Sequence, residues 1–214
     1  MSQLLSPEYW NDRYLHQDAS WDTGSVTTPL RSYFDQLTDK NLRILIPGAG
    51  NAYEAEYLVT AGFTNVFVCD IAQQPLTNLK KRCPAFKDEN LLLVDFFELE
   101  ATRFPELNQV TEPVEATAAF DLVIEQTFFC ALEPSLRRSY FEKMQSLLKI
   151  GGKLVGVLFD DVLNQDKPPF GGSKQEYLSY IGPVFKIRTF ETCYNSIKPR
   201  AGRELFINLI HCTL

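Results

Sequence analysis

The feature that most constrains the fold is a regular alternation of short apolar runs with helical segments. The first run lies in the segment LRILIPGAG, where the residues from Leu42 to Ile46 are almost all apolar and lead into a glycine-containing turn. Such a run is typical of a strand that helices cover on both faces. Strands that alternate with helices are joined by right-handed crossovers, so the pattern predicts a parallel sheet.

The later segments continue this pattern to the end of the chain. Helices are predicted over 6–18, after Thr27-Thr28-Pro29, and over 52–60, 73–83 and 133–149, and strands over 65–70, 91–97, 119–126 and, after a turn at Gly151-Gly152, 153–159. The last two apolar segments, VFKIRTF and ELFINLIHCTL, are separated by a polar turn, so we expect them to pair antiparallel. The sequence therefore predicts a Rossmann-like α/β fold of five parallel strands and a C-terminal antiparallel hairpin, in one domain over 1–214.

The composition excludes several classes of function. The 214 residues carry a net charge of −6 without a block of lysine or arginine, which disfavours nucleic acid as a partner. Two histidines and five scattered cysteines without a CxxC pair give neither a metal centre nor a disulfide framework. The sequence has neither an apolar run long enough to span a bilayer nor a secretory signal. We therefore expect a cytoplasmic protein that acts on a small molecule. The sequence leaves the oligomeric state open.

Glycines and an acid mark a predicted ligand site. Gly48 and Gly50 follow the first strand, where ligands bind in open α/β sheets, although Tyr53 replaces the third glycine of the dinucleotide pattern. Asp70 ends the second strand about twenty residues later, where a carboxylate can accept hydrogen bonds from the ribose hydroxyls of an adenosine. The alternatives are a plain strand–helix turn for the glycines and a helix cap for Asp70, and cap and ribose contact are compatible. NAD and S-adenosylmethionine fit this pattern equally well.

Two further strand ends carry polar residues. Asp95 and Phe96 end the predicted third strand, where the carboxylate can accept from an adenine amino group and the ring can flank the base. A buried aromatic residue beside a helix-capping acid explains the same pair. Glu125 and Gln126 end the fourth strand, nearest the expected reacting centre, and are candidates for orienting an acceptor.

An aromatic group precedes the first strand. Trp10 and Tyr14 lie four residues apart on one face of the first helix, and Trp21 is the only other tryptophan. Such a stripe usually packs an amphipathic helix against the core. The functional alternative is a lid over a cationic ligand, because ring faces attract a sulfonium by roughly 0.5–2 kcal/mol per contact.

The chain resembles the thiopurine S-methyltransferase superfamily, and particularly its halide/thiol branch of the harmless-to-ozone-layer type. The segments that carry the resemblance are WNDRYLHQDASWDTGSVTTPL, LIPGAGNAYEAEYL, VCDIA, DFFEL, FDLVIEQTFFCALEP and, more loosely, DKPPFGG. Members use S-adenosylmethionine and have a mostly parallel seven-stranded class I methyltransferase sheet with an N-terminal helical aromatic lid. The resemblance thus implies that residues 1–40 form a lid region.

The resemblance also implies roles for individual residues. Trp10, Tyr14 and Trp21 would line the methionine and sulfonium end of S-adenosylmethionine, and Gly48 its backbone side. Asp70 would hold the ribose, and Asp95 and Phe96 the adenine. Gln126 falls where halide-type enzymes usually carry a tyrosine that contacts the cofactor, and Tyr14 replaces what is often tryptophan.

The expected reaction is a direct in-line displacement onto a small soft nucleophile such as a thiol, hydrosulfide, thiocyanate or halide. Such an acceptor needs little more than alignment behind the methyl group. Glu125 or Gln126 is expected to orient the acceptor and Phe170 to close over it, without a metal or an assigned general base. Two alternatives are an NAD(P)-dependent oxidoreductase and a catalytically silent module that binds S-adenosylmethionine.

Overall fold

The computed structural model describes residues 5–100 and 119–212. The chain divides into two compact units, Met1–Glu98 and Leu99–Leu214. Whether these units act as the single expected domain stays a prediction, and the loop predicted at 105–117 lies outside the described residues. Within the described ranges, no helix has the length and apolar character that a membrane crossing requires.

Seven strands and six α-helices make up the regular structure of the described residues. The helices are α1 Pro7–Leu15, α2 Thr28–Phe34, α3 Tyr53–Thr60, α4 Gln73–Arg82, α5 Arg137–Leu147 and α6 Lys174–Ile181. The strands are β1 Arg43–Pro47, β2 Asn65–Asp70, β3 Leu91–Leu93, β4 Phe120–Gln126, β5 Leu148–Phe159, β6 Lys186–Thr192 and β7 Glu204–Ile210. They form one sheet in the order β3-β2-β1-β4-β5-β7-β6, which confirms the predicted seven-stranded Rossmann-like fold.

The first unit contains the parallel pairs β1–β2 and β2–β3. The interiors of β1 and β2 are buried, as at Ile44, Leu45 and Val68, which explains their near-continuous apolar sequence, whereas Leu93 of β3 is exposed. The predicted start of α1 is confirmed, because the Ser6 side chain caps the helix by accepting a hydrogen bond from the Tyr9 N–H at 3.3 Å.

The second unit contains the parallel pair β4–β5 and the C-terminal hairpin. Strand β7 runs antiparallel to both β5 and β6, which confirms the prediction for the last two apolar segments. The core of this unit includes the fully buried rings of Phe120, Tyr140 and Phe141. Aromatic residues of this size supply much of the apolar area that stabilises a domain.

Several predicted boundaries were wrong, and among them the helix predicted over 6–18 ends at Leu15. Strand β3 ends at Leu93, because the Asp95 carboxylate accepts from the Phe97 N–H at 2.8 Å and turns the chain into a 3₁₀ turn over Phe96–Glu98. Helix α5 begins at Arg137, since Pro134–Leu136 forms a 3₁₀ turn ahead of it. The glycines at 151 and 152 lie within β5, in an irregularity where Phe120 pairs with Leu148 and Leu122 with Lys153.

Gly156 of β5 generates a test of the packing in the second unit. A Cβ atom at this position would lie 2.2 Å from the backbone oxygen of Glu125 and 2.5 Å from its Cβ. Because a paired strand cannot move away, we expect Gly156→Ala to lower the free energy of unfolding by about 1–3 kcal/mol, as overpacking typically does. Urea denaturation measures this change.

Gly182→Ala is the matched control. Gly182 follows α6 with a helical backbone, and a Cβ there meets only the Leu178 oxygen at 3.2 Å. The control should change stability by less than about 1 kcal/mol, since alanine is a better helix former than glycine. Equal stability of the two variants would contradict the close approach at Gly156.

Candidate functional site

The turn after β1 has an unusual backbone that its glycines permit. Gly48 and Gly50 have φ angles of 54° and 51°, in the left-handed region that glycine enters without a steric penalty. Ala52 has φ of 52° without being glycine, which costs conformational energy. Strained backbone of this kind is concentrated at functional sites. The turn therefore differs from an ordinary strand–helix connection in having three residues with left-handed backbone.

Asp70 is bound by this turn. Its Oδ2 accepts from the Gly50 N–H at 2.9 Å and its Oδ1 from the Ala72 N–H at 2.8 Å. Burial raises the pKa of Asp70 to about 6, while the N–H groups of Ala72, Gly50 and Ile71 act in the opposite direction. Because a carboxylate has about four acceptor positions, it retains capacity for ribose hydroxyls.

The helix-cap interpretation of Asp70 needs a correction in its detail. Helix α4 begins at Gln73 with Ala72 as its N-cap residue, which has no side chain that could accept a capping hydrogen bond. Asp70 instead bonds to the Ala72 N–H just before the helix. The carboxylate thus joins the end of β2 to the Gly50 turn and to the approach of α4.

Aromatic residues of the N-terminal segment lie against the same turn. Trp21 contacts Trp10 and Tyr14 edge-to-face at centroid distances of 5.6 and 5.9 Å, and its Nε1–H donates to the Tyr14 hydroxyl at 3.3 Å. A Cβ at Gly50 would lie 2.5 Å from the Tyr14 hydroxyl oxygen, so only glycine permits this approach. Burial is the main cause that raises the pKa of Tyr14 above its usual range, and the negative charge of Asp70 is the second.

The exposure and the neighbours of the aromatic stripe are compatible with both the packing and the lid interpretation, which stay predictions. No residue of α1 is fully buried, and Trp10 and Tyr14 are half-buried, with the Tyr14 hydroxyl directed at the Gly50 turn. The Arg13 guanidinium lies 4.8 Å from the centre of the Trp21 ring, within the range of a cation–π contact.

Sequence reasoning missed the polar contacts that attach the N-terminal segment to the rest of its unit. The Asn51 amide donates to the Asp22 carboxylate, and the Gln74 N–H donates to Asn11 Oδ1 at 2.8 Å. The signal for Asp22 was the WD-x-G motif, since Asp22 Oδ1 also accepts from the Gly24 N–H at 2.7 Å. No comparable local pattern pointed to Asn11.

Asp95 and Phe96 follow β3 rather than end it. Phe96 is buried at 3% exposure, and its ring centre lies 5.3 Å from that of Phe97. The contact of the Asp95 carboxylate with the Phe97 N–H is local. Their proposed roles toward adenine stay predictions.

In the second unit, Glu125 anchors a turn. This fully buried side chain accepts through Oε1 from the N–H groups of Phe128 and Phe129, at 2.8 and 3.1 Å. Its Oε2 accepts from the Tyr140 hydroxyl. Burial raises the pKa of Glu125 to about 7, against the effect of these donors. The carboxylate thus fixes the turn that follows Gln126, whose side chain is only partly buried.

Phe170 is attached to the same turn. It is 6% exposed, and its backbone N–H donates to the Cys130 carbonyl at 2.7 Å. Cys130 itself is buried, and burial raises the pKa of its thiol, which agrees with the interpretation of a small core residue and not a nucleophile.

The structure thus groups the predicted residues within each unit. In the first unit, Tyr14, Trp21, Gly50 and Asp70 come together, with Trp10 against Trp21 and Gly48 in the same turn. In the second unit, Glu125 and Gln126 directly precede one turn, and the Phe170 N–H is hydrogen-bonded to that turn at Cys130. The residue types present in the first group fit S-adenosylmethionine, since a buried anionic acceptor lies beside aromatic rings. Among residues 5–100 and 119–212, no three His, Cys, Asp or Glu side chains cluster to hold a metal ion.

Comparison with known proteins identifies the family of the chain. The family model of thiopurine S-methyltransferase matches residues 5–207. The probable thiol methyltransferase 2 of Arabidopsis thaliana is 28% identical over 199 residues, which cover 91% of this chain and 81% of that protein. Thiocyanate methyltransferase 1 of Brassica oleracea is 26% identical over 190 residues, which cover 86% and 76%.

Solved structures support the same fold. The 1,6-didemethyltoxoflavin-N1-methyltransferase of Burkholderia thailandensis, with bound 1,6-didemethyltoxoflavin and S-adenosylhomocysteine, matches with a TM-score of 0.69 at 14% identity. The match covers 97% of this chain and 87% of that one, and at this identity it shows the fold alone. The family match, in contrast, spans nearly the whole chain and excludes the oxidoreductase alternative. The chain belongs to the thiopurine S-methyltransferase family and is an S-adenosylmethionine-dependent methyltransferase.

Proposed function

We propose that this enzyme methylates a small soft anion, such as a thiolate, hydrosulfide, thiocyanate or halide, by direct in-line displacement. The observation that carries the proposal is the state of Glu125, the carboxylate nearest the expected acceptor. Three donors engage its two oxygens, so it is committed to holding a turn. An acceptor that arrives as an anion needs no proton removed. The relatives named for thiol and thiocyanate methylation support this class of acceptor.

The first unit would hold the cofactor. Asp70 would accept hydrogen bonds from the ribose hydroxyls, while Trp10, Tyr14 and Trp21 would surround the positive end and Gly48 and Gly50 would allow a close backbone approach. S-adenosylmethionine supplies an activated methyl group whose leaving group is a neutral thioether. Asp95 and Phe96 are proposed to complete the binding site in this unit, on the resemblance to the family.

The second unit would align the acceptor. Gln126 is proposed to orient it and Phe170 to exclude water, with Glu125 holding their turn. Because the reaction joins an anion to a cationic donor, charge is lost as it proceeds, and a dry environment favours it over the solvated reaction. Alignment alone can supply several kcal/mol of the barrier lowering, of the order of 7–11 kcal/mol for well-oriented intramolecular reactions.

Asp70 provides a test of the cofactor site. Asp70→Asn removes the charge and replaces one acceptor oxygen by a donor, so we expect S-adenosylmethionine affinity to fall by about 1.5–3 kcal/mol, the range for hydrogen bonds to charged groups. In the wild type, affinity should also decline as pH falls through about 6, where Asp70 takes up a proton and ceases to be a charged acceptor. The variant should lack this decline. Calorimetry at pH 5 to 8 measures both effects.

Asp88→Asn is the matched control for charge removal in the same unit. Asp88 pairs with Lys80 at the surface, and its side chain is 81% exposed. Affinity in this control should match that of the wild type at each pH. If Asp70→Asn also bound as the wild type does, Asp70 would serve only to hold the Gly50 turn.

The pH dependence of the rate tests the acceptor proposal. With an acidic aryl thiol, kcat/KM should rise with pH through the thiol's own pKa and then level off, because only the thiolate reacts. With thiocyanate, which is ionised throughout, the profile should lack this rise. Product formation is followed by mass spectrometry at saturating S-adenosylmethionine.

Amines and catechols serve as the comparison acceptors in the same assay, and we expect no methylation of either. Preferential methylation of an amine would contradict the soft-anion mechanism. A profile for the aryl thiol that is flat across the thiol pKa would contradict it independently.

A further inference from the structure

A buried arginine in the second unit has no role in the function proposed so far. Arg137 is 3% exposed and is the first residue of α5. A cation at a helix N-terminus is opposed by the helix dipole, and a buried guanidinium needs polar partners to be tolerated. Compensating contacts must therefore stabilise the buried guanidinium of Arg137, and they show which segments of the chain it connects.

Arg137 joins two segments that are far apart in sequence. Its Nη1 donates to Glu176 Oε1 at 2.5 Å, and its Nη2 donates to the Gly171 carbonyl at 2.6 Å. The guanidinium also lies over the rings of Phe129 and Tyr177, at 5.3 and 5.7 Å from their centres. Gly171 directly follows Phe170, and Phe129 belongs to the turn held by Glu125. One side chain thus contacts both segments.

The loop beside Arg137 has little room to adjust. A Cβ at Gly171 would lie 2.3 Å from the Leu163 nitrogen, and one at Gly172 would lie 2.3 Å from the Tyr177 hydroxyl oxygen. Asp161 and Gly172 exchange two backbone hydrogen bonds of 3.1 Å, which close the loop upon itself. Such a loop moves as a unit, so a contact at Gly171 fixes Phe170 as well.

We propose that Arg137 is a positioning residue that holds Phe170 against the Phe128–Cys130 turn and thereby limits the size of the acceptor. This inference rests on the proposed function, in which Phe170 and Gln126 bound the acceptor. The planar guanidinium suits this task, since it donates in two directions while its faces contact aromatic rings. Lysine can replace the positive charge of Arg137 but not the fixed planar arrangement of its N–H donors.

The test compares Arg137→Met and Arg137→Lys with the wild type, using thiocyanate as a small acceptor and thiophenol as a bulky one. Release of Phe170 should lower kcat/KM for thiocyanate by about 10-fold to 100-fold, as misplacement of a positioning group can. The rate with thiophenol should fall less, so the ratio of the two shifts toward the bulky acceptor. Arg137→Lys should retain part of the wild-type ratio. The calorimetric Kd for S-adenosylhomocysteine should stay within about twofold.

Amide hydrogen exchange gives a readout that does not depend on turnover. The Phe170 N–H, bonded to the Cys130 carbonyl, should exchange faster in Arg137→Met, while the Gly50 and Ala72 N–H groups should keep their protection. If the wild type methylates neither acceptor, the proposed function fails, and exchange at Phe170 still decides whether Arg137 fixes the loop.

Arg138→Met is the matched control, because Arg138 is the next residue of α5 and is exposed. It should leave the acceptor ratio and the exchange at Phe170 unchanged. If Arg137→Met does not fold, Glu176→Gln weakens the same network and should shift the ratio in the same direction. The proposal would be overturned if the ratio of kcat/KM for the two acceptors, or the exchange at the Phe170 N–H, were unchanged in the folded variants. A loss of S-adenosylhomocysteine affinity as large as the loss of kcat/KM would overturn it as well.

Discussion

The hydrogen bond from the Gly50 N–H to the Asp70 carboxylate is the interaction on which the candidate cofactor site depends. It joins the turn after β1 to the end of β2, and it requires the left-handed backbone that Gly50 provides. The absence of a side chain on Gly50 also allows the Tyr14 hydroxyl to approach. A single position therefore ties together the acid, the turn and the aromatic segment. A Cβ at Gly50 would strain the left-handed backbone and collide with the Tyr14 hydroxyl.

The same physical arrangement recurs in the second unit. Asp70 and Glu125 are both buried carboxylates at the carboxyl end of a parallel strand, and both accept backbone N–H groups of the turn that follows. Burial raises the pKa of Asp70 to about 6 and that of Glu125 to about 7, so both carboxyl groups titrate near neutral pH. They differ in accessibility and in their donors, because Glu125 is fully buried and also accepts from the Tyr140 hydroxyl, whereas Asp70 keeps 8% exposure and accepts only backbone N–H groups. Asp70 thus suits direct binding and Glu125 suits positioning.

The sequence was informative where the signal was local and periodic. The spacing of Trp10 and Tyr14 and the acid at the end of β2 depend on neighbours along the chain, and the structure places Trp10 and Tyr14 in one helix and Asp70 at the end of its strand. The end of β3 was missed because one side-chain contact of Asp95 outweighs the apolar pattern that continues to Phe97. Contacts such as Asp22 with Asn51, or Arg137 with Gly171, join residues 29 and 34 positions apart and follow no period. Only a folded structure reveals them.

In the proposed function, the aromatic residues of the N-terminal segment close over bound S-adenosylmethionine. Both tryptophans of the chain, Trp10 and Trp21, belong to this group, so intrinsic tryptophan fluorescence reports on it without a label. Titration with S-adenosylmethionine should give a saturable fluorescence change with the same Kd as calorimetry, and NAD should give none. Calorimetric binding of S-adenosylmethionine with no change in the emission of either tryptophan would contradict the account.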